Sequence, residues 1–169
     1  MKKKIVLAIL TVLSVNPKEV SGARREADAF RHLLVYPNSS FWYDNTVVGT
    51  HSSAFTHAIS RSNNINGLTI HRTTNRSSAT IIANTSYINY DWFGYWERQS
   101  DAHYVYISEP QTRGFSTNQY RWVALHEIGH ALGLVHQKNN VDSVMKESDG
   151  PYSYSNFPQL DRDNLNWAY

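Results

Sequence analysis

His126-Glu127-Ile128-Gly129-His130-Ala131-Leu132-Gly133-Leu134-Val135-His136 is the stretch that decides how this chain is read. In a helix, His126 and His130 stand at i and i+4, so both rings leave one face and can meet a single ion at the ~2.0–2.1 Å that Zn–N bonds require. Glu127 leaves the helix on the neighbouring flank, where a carboxylate can hold a water beside the ion without displacing it. Gly133 lets the backbone exit through a left-handed residue, which turns the chain back and brings up His136 as a third ligand. With 8 His and 8 Gly in 169 residues, chance would produce the spacing His-Glu-x-x-His-x-x-Gly-x-x-His with a probability on the order of 3 × 10⁻⁵. The competing reading is an amphipathic helix that is merely rich in His. It would leave unpartnered imidazoles beside Ile128, Leu132 and Leu134, which is a costly place for them.

These residues resemble the long zinc signature of the metzincin metallopeptidases, and Val141-Asp142-Ser143-Val144-Met145 resembles the methionine-containing turn that follows it in that clan. The resemblance implies that Met145 forms a hydrophobic floor beneath the metal; a Met used as flexible core filler is nearly the same physical statement. Within the clan, 126–136 and the ending Leu160-Asp161-Arg162-Asp163-Asn164-Leu165-Asn166-Trp167 are most similar to matrixins and to small matrixin-like bacterial proteases. The likeness is carried by 116–147, continues over 148–169, and upstream survives as an order of strands and one helix. It departs after the Met, where Lys146-Glu147 replaces the usual Tyr-Pro pair at the wall of the primed-side pocket. The fold implied is α+β, a metzincin-like two-lobe catalytic domain. Its parts are a twisted mixed sheet of about five strands with a helix before it, a zinc-binding helix, and a small irregular C-terminal lobe ending in a helix.

Residues 1–22 read as a secretory signal peptide: Lys2-Lys3-Lys4, an apolar run from Ile5 to Val15, then Ser21, Gly22 and Ala23 around a cleavage point. That run is too short to span a bilayer, which takes ~20 residues, so no stable membrane insertion is expected after its removal. The catalytic domain is then 23–169, with 23–31 either a short pro-segment or the mature N-terminus. Without 1–22 the chain carries 12 basic and 13 acidic residues. That balance gives no basic footprint for nucleic acid or for an anionic membrane. With no Cys, disulfides are excluded, and so is the Cys-based latency common in matrixins. An acidic residue such as Asp28 or Asp44 could mimic that Cys, but nothing local favours this over a solvated carboxylate. The expected setting is secreted, extracellular and bacterial, and the expected state a monomer.

Along the chain, His32 to Pro37 and Ser40 to Tyr43 suggest a first strand or hairpin. Val47, Ala54, Phe55, Ala58 and Ile59 line one stripe of a helix over Val47 to Ile59, closed by a polar turn from Ser60 to Gly67. Leu68 to His71, Ala79 to Ala83, Phe93 to Glu97 and His103 to Ile107 read as further strands, the last with Tyr104 and Tyr106 on one face and His103, Val105 and Ile107 on the other. Ser116 and Gln119 form a capping box for the zinc helix, and Val123, Ile128, Ala131 and Leu132 point from it to the sheet.

Asp101-Ala102-His103-Tyr104 resembles the matrixin segment that ligates a second, structural zinc, but 84–100 contains no His to complete a site, so a hydrogen-bonded strand His is expected. His32, His51, His57 and His71 lack metal spacing and read as surface or packing residues. The sequons at Asn38, Asn75 and Asn84 read as Asn-rich turn chemistry. Tyr152 and Tyr154 follow Met145 closely and either bring a phenol to the zinc or pack the turn.

The function expected is a zinc metalloendopeptidase acting on protein or peptide substrates. One catalytic zinc, held by His126, His130 and His136, would activate a water whose proton Glu127 takes as general base. The sequence does not decide about calcium. Substrate would lie extended along an edge strand, Phe93-Gly94-Tyr95-Trp96-Glu97, with Gly94, Tyr95 and Trp96 as its contacts. The alternatives are a non-catalytic zinc-stabilised binding module, against which Glu127 counts, and a cell-wall peptide hydrolase of the same chemistry.

Overall fold

Apolar and polar side chains alternate along 102–108, and the strand that forms there, β5 (Ala102–Ser108), buries His103, Val105 and Ile107 while Tyr104 and Tyr106 stay half-buried on the opposite face. The computed structural model describes residues 35–100, 102–147 and 150–169. The expected signal segment 1–22, the stretch 23–31, His32, Asp28 and Asp101 lie outside them. Around β5 are β1 (Asn38–Tyr43), β2 (Thr69–Arg72), β3 (Ile81–Ser86) and β4 (Gly94–Gln99), in the order β2-β1-β3-β5-β4. All neighbours are parallel except β4, which runs antiparallel to β5 and forms one edge. Parallel pairing needs a crossover, so β1 is not part of a hairpin; α1 (Gly49–Ser62) carries the chain from β1 to β2.

The α1 stripe forms as expected from Ala54, Phe55, Ala58 and Ile59, all buried. Its boundaries differ. Val47 is buried but precedes the helix, in a turn where its N–H donates to Asp44 O at 3.0 Å and the Asp44 carboxylate accepts from Thr46 N–H at 3.0 Å. Asp44 is thereby a turn residue. At the other end the helix runs on to Ser62, whose hydroxyl bonds back to Ala58 O, and the Asn63 side chain then grips both the N–H and the C=O of Ile70 at 2.7 and 2.9 Å. This clamp fixes α1 to β2, and β2 begins at Thr69 instead of Leu68.

β3 starts later than its β-branched run suggests. Asn75 caps a 3₁₀ turn at Arg76–Ser78, and Ala79 N–H closes on Arg76 O, which holds Ala79 out of the sheet. Of the three sequons only Asn75 sits in a turn; Asn38 and Asn84 lie in strands, because sheet pairing overrides the local turn preference of Asn. A short helix with no clear sequence signal, α2 (Glu109–Thr112), links β5 to α3 (Thr117–Ala131), and the last helix is α4 (Gln159–Ala168). α3 packs against α1, β4 and β5. The irregular C-terminal lobe is tied back to the first lobe by Tyr169 OH to Leu132 O at 3.2 Å and Asn66 N–H to Asn166 Oδ1 at 2.8 Å. No helix among the described residues is long and apolar enough to cross a membrane.

Two buried polar groups in this frame have measurable consequences. His103 is 1% exposed and accepts a hydrogen bond on Nδ1 from Trp96 Nε1–H at 3.2 Å, joining β5 to β4. His103→Asn should lower stability by about 1–2 kcal/mol, the scale of a disturbed buried hydrogen bond, and leave metal content unchanged. Urea denaturation and metal analysis of the two proteins check this; loss of a metal equivalent in the variant would make His103 a ligand.

Asp161 of α4 is also 1% exposed, and it accepts from Ser143 Oγ–H at 2.6 Å and Val144 N–H at 2.8 Å. Burial pushes its carboxyl up from 3.8 to about 6, against the lowering effect of those two bonds. The folded chain therefore holds this proton more tightly than the unfolded chain, and the resulting stability is present below about pH 4 and is lost as pH rises through about 6. Asn does not titrate. The stability difference between wild type and Asp161→Asn should consequently shift by up to about 3 kcal/mol between pH 4 and pH 7, with wild type relatively weaker at the higher pH. A difference that stays flat across this range in urea titrations would refute the account.

Candidate active site

α3 has both ends specified by its own sequence. The Ser116 hydroxyl accepts from Gln119 N–H while the Gln119 side chain accepts from Ser116 N–H at 2.7 Å, the reciprocal capping box. At the far end Gly133 takes a φ of 98°, with Gly133 N–H on His130 O at 3.0 Å and Leu134 N–H on Gly129 O at 2.9 Å. This bond pair is the Schellman arrangement, which needs a left-handed residue that Gly adopts without strain. It reverses the chain so that His136 returns to the helix.

The result is a triad of imidazole nitrogens. The Nε2 atoms of His126, His130 and His136 lie 3.2, 3.2 and 3.1 Å apart. Ligands at ~2.0–2.1 Å from a tetrahedral zinc would be separated by about 3.3–3.4 Å, so the set is the right size for that ion. The opposite ring nitrogens supply the stronger argument. His126 Nδ1 is 2.8 Å from Val144 O and His130 Nδ1 is 3.0 Å from Leu134 O. A carbonyl only accepts, so each Nδ1 carries the hydrogen, and each Nε2 turns an unprotonated lone pair toward the other two rings. Lone pairs converging this closely are stabilised by a cation. Burial also pushes the His126 imidazole down to about 4, with the neighbouring His136 adding to the effect, so His126 is neutral at pH 7 as a ligand must be. Among the described residues this is the one group of His, Cys, Asp or Glu side chains arranged to hold a metal.

Glu127 is 4% exposed and lies against the edge strand. A methyl group at Gly94 would overlap Glu127 Oε1 and come within 2.8 Å of its Cγ and 2.7 Å of Val123 Cγ1, so only Gly lets β4 pass this close to the carboxyl. Burial raises the proton affinity of Glu127 well above the usual carboxylate range, and it has no ion-pair partner among the described residues. Met145 is fully buried with its sulfur against Gly129, in the helix segment between the first two His residues. Its backbone is held at both ends, Met145 N–H donating to Ser143 Oγ at 2.9 Å and Met145 O accepting Gln137 N–H at 2.7 Å. Through these bonds the Met turn fixes the residue after His136, while Val144 O fixes His126.

A cleft opens on both sides of the triad. One cavity, about 340 Å³, is lined by His126, Glu127 and His136 together with Trp92, Phe93, Trp122 and Lys146. The other, about 590 Å³, is lined by all three His, Glu127, Gly94, Tyr95 and Trp96. Gly94 and Glu147 belong to both. Tyr152 and Tyr154 line neither. The Tyr152 ring packs edge-on against Trp122, Tyr154 OH donates to Asp142 at 2.8 Å, and Lys146 Nζ lies 4.6 Å over the Tyr152 ring. Lys146 thus stands in the wall where the resemblance has its departure, braced by these aromatics. Phe93 belongs to the edge stretch expected to meet substrate, whereas Trp92 and Trp122 are cleft residues that the sequence reading did not single out. Trp122 lies one turn before His126 on α3 and donates Nε1–H to Val144 O at 3.1 Å, a position that helical spacing alone makes available.

No curated protein matches the chain. A family model described as matrixin matches residues 44–167, from the turn before α1 to the last helix. That match spans most of the sequence, and it includes the triad, Glu127 and the Met turn. The chain belongs to the matrixin family of zinc metallopeptidases.

Proposed function

We propose that this chain is a secreted, bacterial, monomeric zinc endopeptidase with a single catalytic metal site at His126, His130 and His136. The observation that carries the reading is the triad of lone pairs, two of them oriented by main-chain carbonyls, set beside a buried, unpaired Glu127 in a cleft open on two sides. Zinc bound there would supply the electrophile that polarises a water and the scissile carbonyl. Glu127 accepts the proton of the attacking water and returns it to the leaving amine. Gly94 keeps the strand out of the carboxyl's way, and Val144 O and Leu134 O hold the rings in the tautomer that leaves Nε2 open. Trp96 lies 5.8 Å from the His130 ring and is steadied by His103, so it walls the cleft next to a ligand.

The cleft runs along β4, the one antiparallel edge strand, whose outer main-chain groups have no strand partner in the sheet. An extended peptide can pair there through main-chain bonds, with Gly94, Tyr95 and Trp96 beside the scissile bond. A non-catalytic zinc module fits less well, since a structural site closes its fourth position with a protein side chain and this cluster offers three among the described residues.

Purified protein should contain about one equivalent of zinc, and phenanthroline should abolish cleavage of a mixed peptide library until zinc is restored. Cleavage that persists after verified metal removal would sink the mechanism. Glu127→Ala should keep the fold and the zinc but lose at least ~10²-fold in rate, the lower end for a positioned acid–base group. Metal analysis and kcat measured together decide it, because loss of zinc in that variant would make Glu127 a support for the ligands instead of the base.

A further inference from the structure

Side chains alternate across β4, so its two faces meet different surroundings. Trp96 turns toward α3, stacking on buried His103 and approaching His130. Tyr95 and Glu97 turn the other way, with the Tyr95 ring 6.1 Å from Tyr106 and the Glu97 Oε1 accepting from Tyr106 OH at 3.0 Å. On that outer face lies a cavity of about 440 Å³ lined by four aromatic rings, Tyr90, Trp92, Tyr95 and Tyr106, and by the Glu97 carboxylate. Among the described residues its lining contains no lysine or arginine. The rings follow one another at centroid distances of 5.0 Å from Tyr90 to Trp92 and 5.6 Å from Trp92 to Tyr95. Tyr90 and Tyr95 are 44% and 45% exposed, so their rings are open to a ligand.

The chemistry of this lining is selective. Aromatic faces carry negative charge density, and a carboxylate beside them adds a full charge, so the combination favours an organic cation over a neutral or acidic group. Both hydrogen bonds that Glu97 accepts among the described residues, from Tyr106 OH and from Gln99 Nε2–H at 2.7 Å, fall on Oε1, and the second oxygen can accept from a ligand.

The cavity also adjoins the cleft. Trp92 lines both it and the cavity at His126 and Glu127, and Tyr95 lines both it and the cavity at His130. A peptide paired with the edge of β4 sends alternate side chains to opposite faces. Those turned toward α3 enter the cavities at the triad, and those between them reach the outer face at a cross-strand spacing of ~4.5–5.5 Å from Tyr95 and Glu97.

We propose that this outer-face cavity is a subsite that selects a lysine or arginine side chain of the peptide substrate. The proposal rests on the peptidase reading of the cleft. A half-exposed cation over rings and a half-exposed ion pair together give about a five- to tenfold preference in kcat/KM.

The test uses the zinc-loaded protein and a library of ten-residue peptides in which one lysine, arginine, norleucine or glutamate is walked through every position, with cleavage rates read by mass spectrometry. At one register relative to the cut, lysine and arginine should be preferred over norleucine by that factor and glutamate disfavoured. Glu97→Asp should keep the preference, and Glu97→Lys should reverse it toward glutamate, a gain that misfolding cannot imitate. The same peptides, fluorescently labelled, are titrated by anisotropy against zinc-loaded Glu127→Ala with and without Glu97→Lys. Cleavage with no basic preference, or with the same preference in Glu97→Lys, overturns the subsite and leaves the peptidase reading standing. Preferential binding of basic peptides that Glu97→Lys reverses, with no peptide cut by wild type, supports the subsite and overturns the peptidase reading. Neither cleavage nor preferential binding overturns both.

Discussion

The hydrogen bonds from the His126 and His130 Nδ1–H groups to the carbonyls of Val144 and Leu134 are the constraint on which the site depends. Helical spacing can bring two imidazoles to one face, but it does not decide which nitrogen of each is protonated. The carbonyls decide it, and they come from two different devices. Leu134 O is delivered by the turn at Gly133, immediately after the helix. Val144 O comes from the Met turn, whose backbone Asp161 holds from α4. A residue far along the chain thus sets the tautomer of a triad imidazole, and the second lobe is a working part of the first.

The placement of β4 is the second constraint. Among the described residues it is the one strand without a parallel neighbour, and it lies at the edge on the side where α3 presents the triad. Parallel strands in the interior need covered crossovers, so they are poor places for an extended ligand. An edge strand has one row of main-chain groups to offer, and here that row borders the cleft. Gly94 marks where strand and helix come closest, and a residue with no side chain there leaves room for the Glu127 carboxyl.

The features legible in the sequence are those whose causes are local. The triad, the capping box and the turn at Gly133 all fall within 116–136 and follow from helical geometry, and the alternation along β5 correctly assigned its two faces. Boundaries drifted where a side chain outside the element intervened. Val47 has the right period for α1 but is claimed by a turn with Asp44, and Ala79 has strand propensity but is claimed by the turn that Asn75 caps. The need for Gly at 94, the grip of Asp161 on the Met turn and the cleft positions of Trp92 and Trp122 depend on approaches between distant segments, which neither period nor propensity encodes. Tyr154 was a candidate through nearness in sequence to Met145, and the fold gives its hydroxyl to Asp142 instead.

The three imidazoles of the triad lie within eleven residues, from His126 to His136, and that closeness has a thermodynamic consequence for any metal they hold. An unfolded chain keeps the same three imidazoles within a short tether, so it retains some affinity for a divalent ion. A ligand stabilises a fold only by the difference between its affinities for the folded and unfolded chain. In this protein that difference does not come from gathering the ligands, which the local sequence largely does. It comes from the carbonyl clamps and the Met turn, which exist only when both lobes are assembled. A metal held by the triad would therefore be coupled to folding mainly through the chain after α3, from the turn at Gly133 to the Met turn that Asp161 holds.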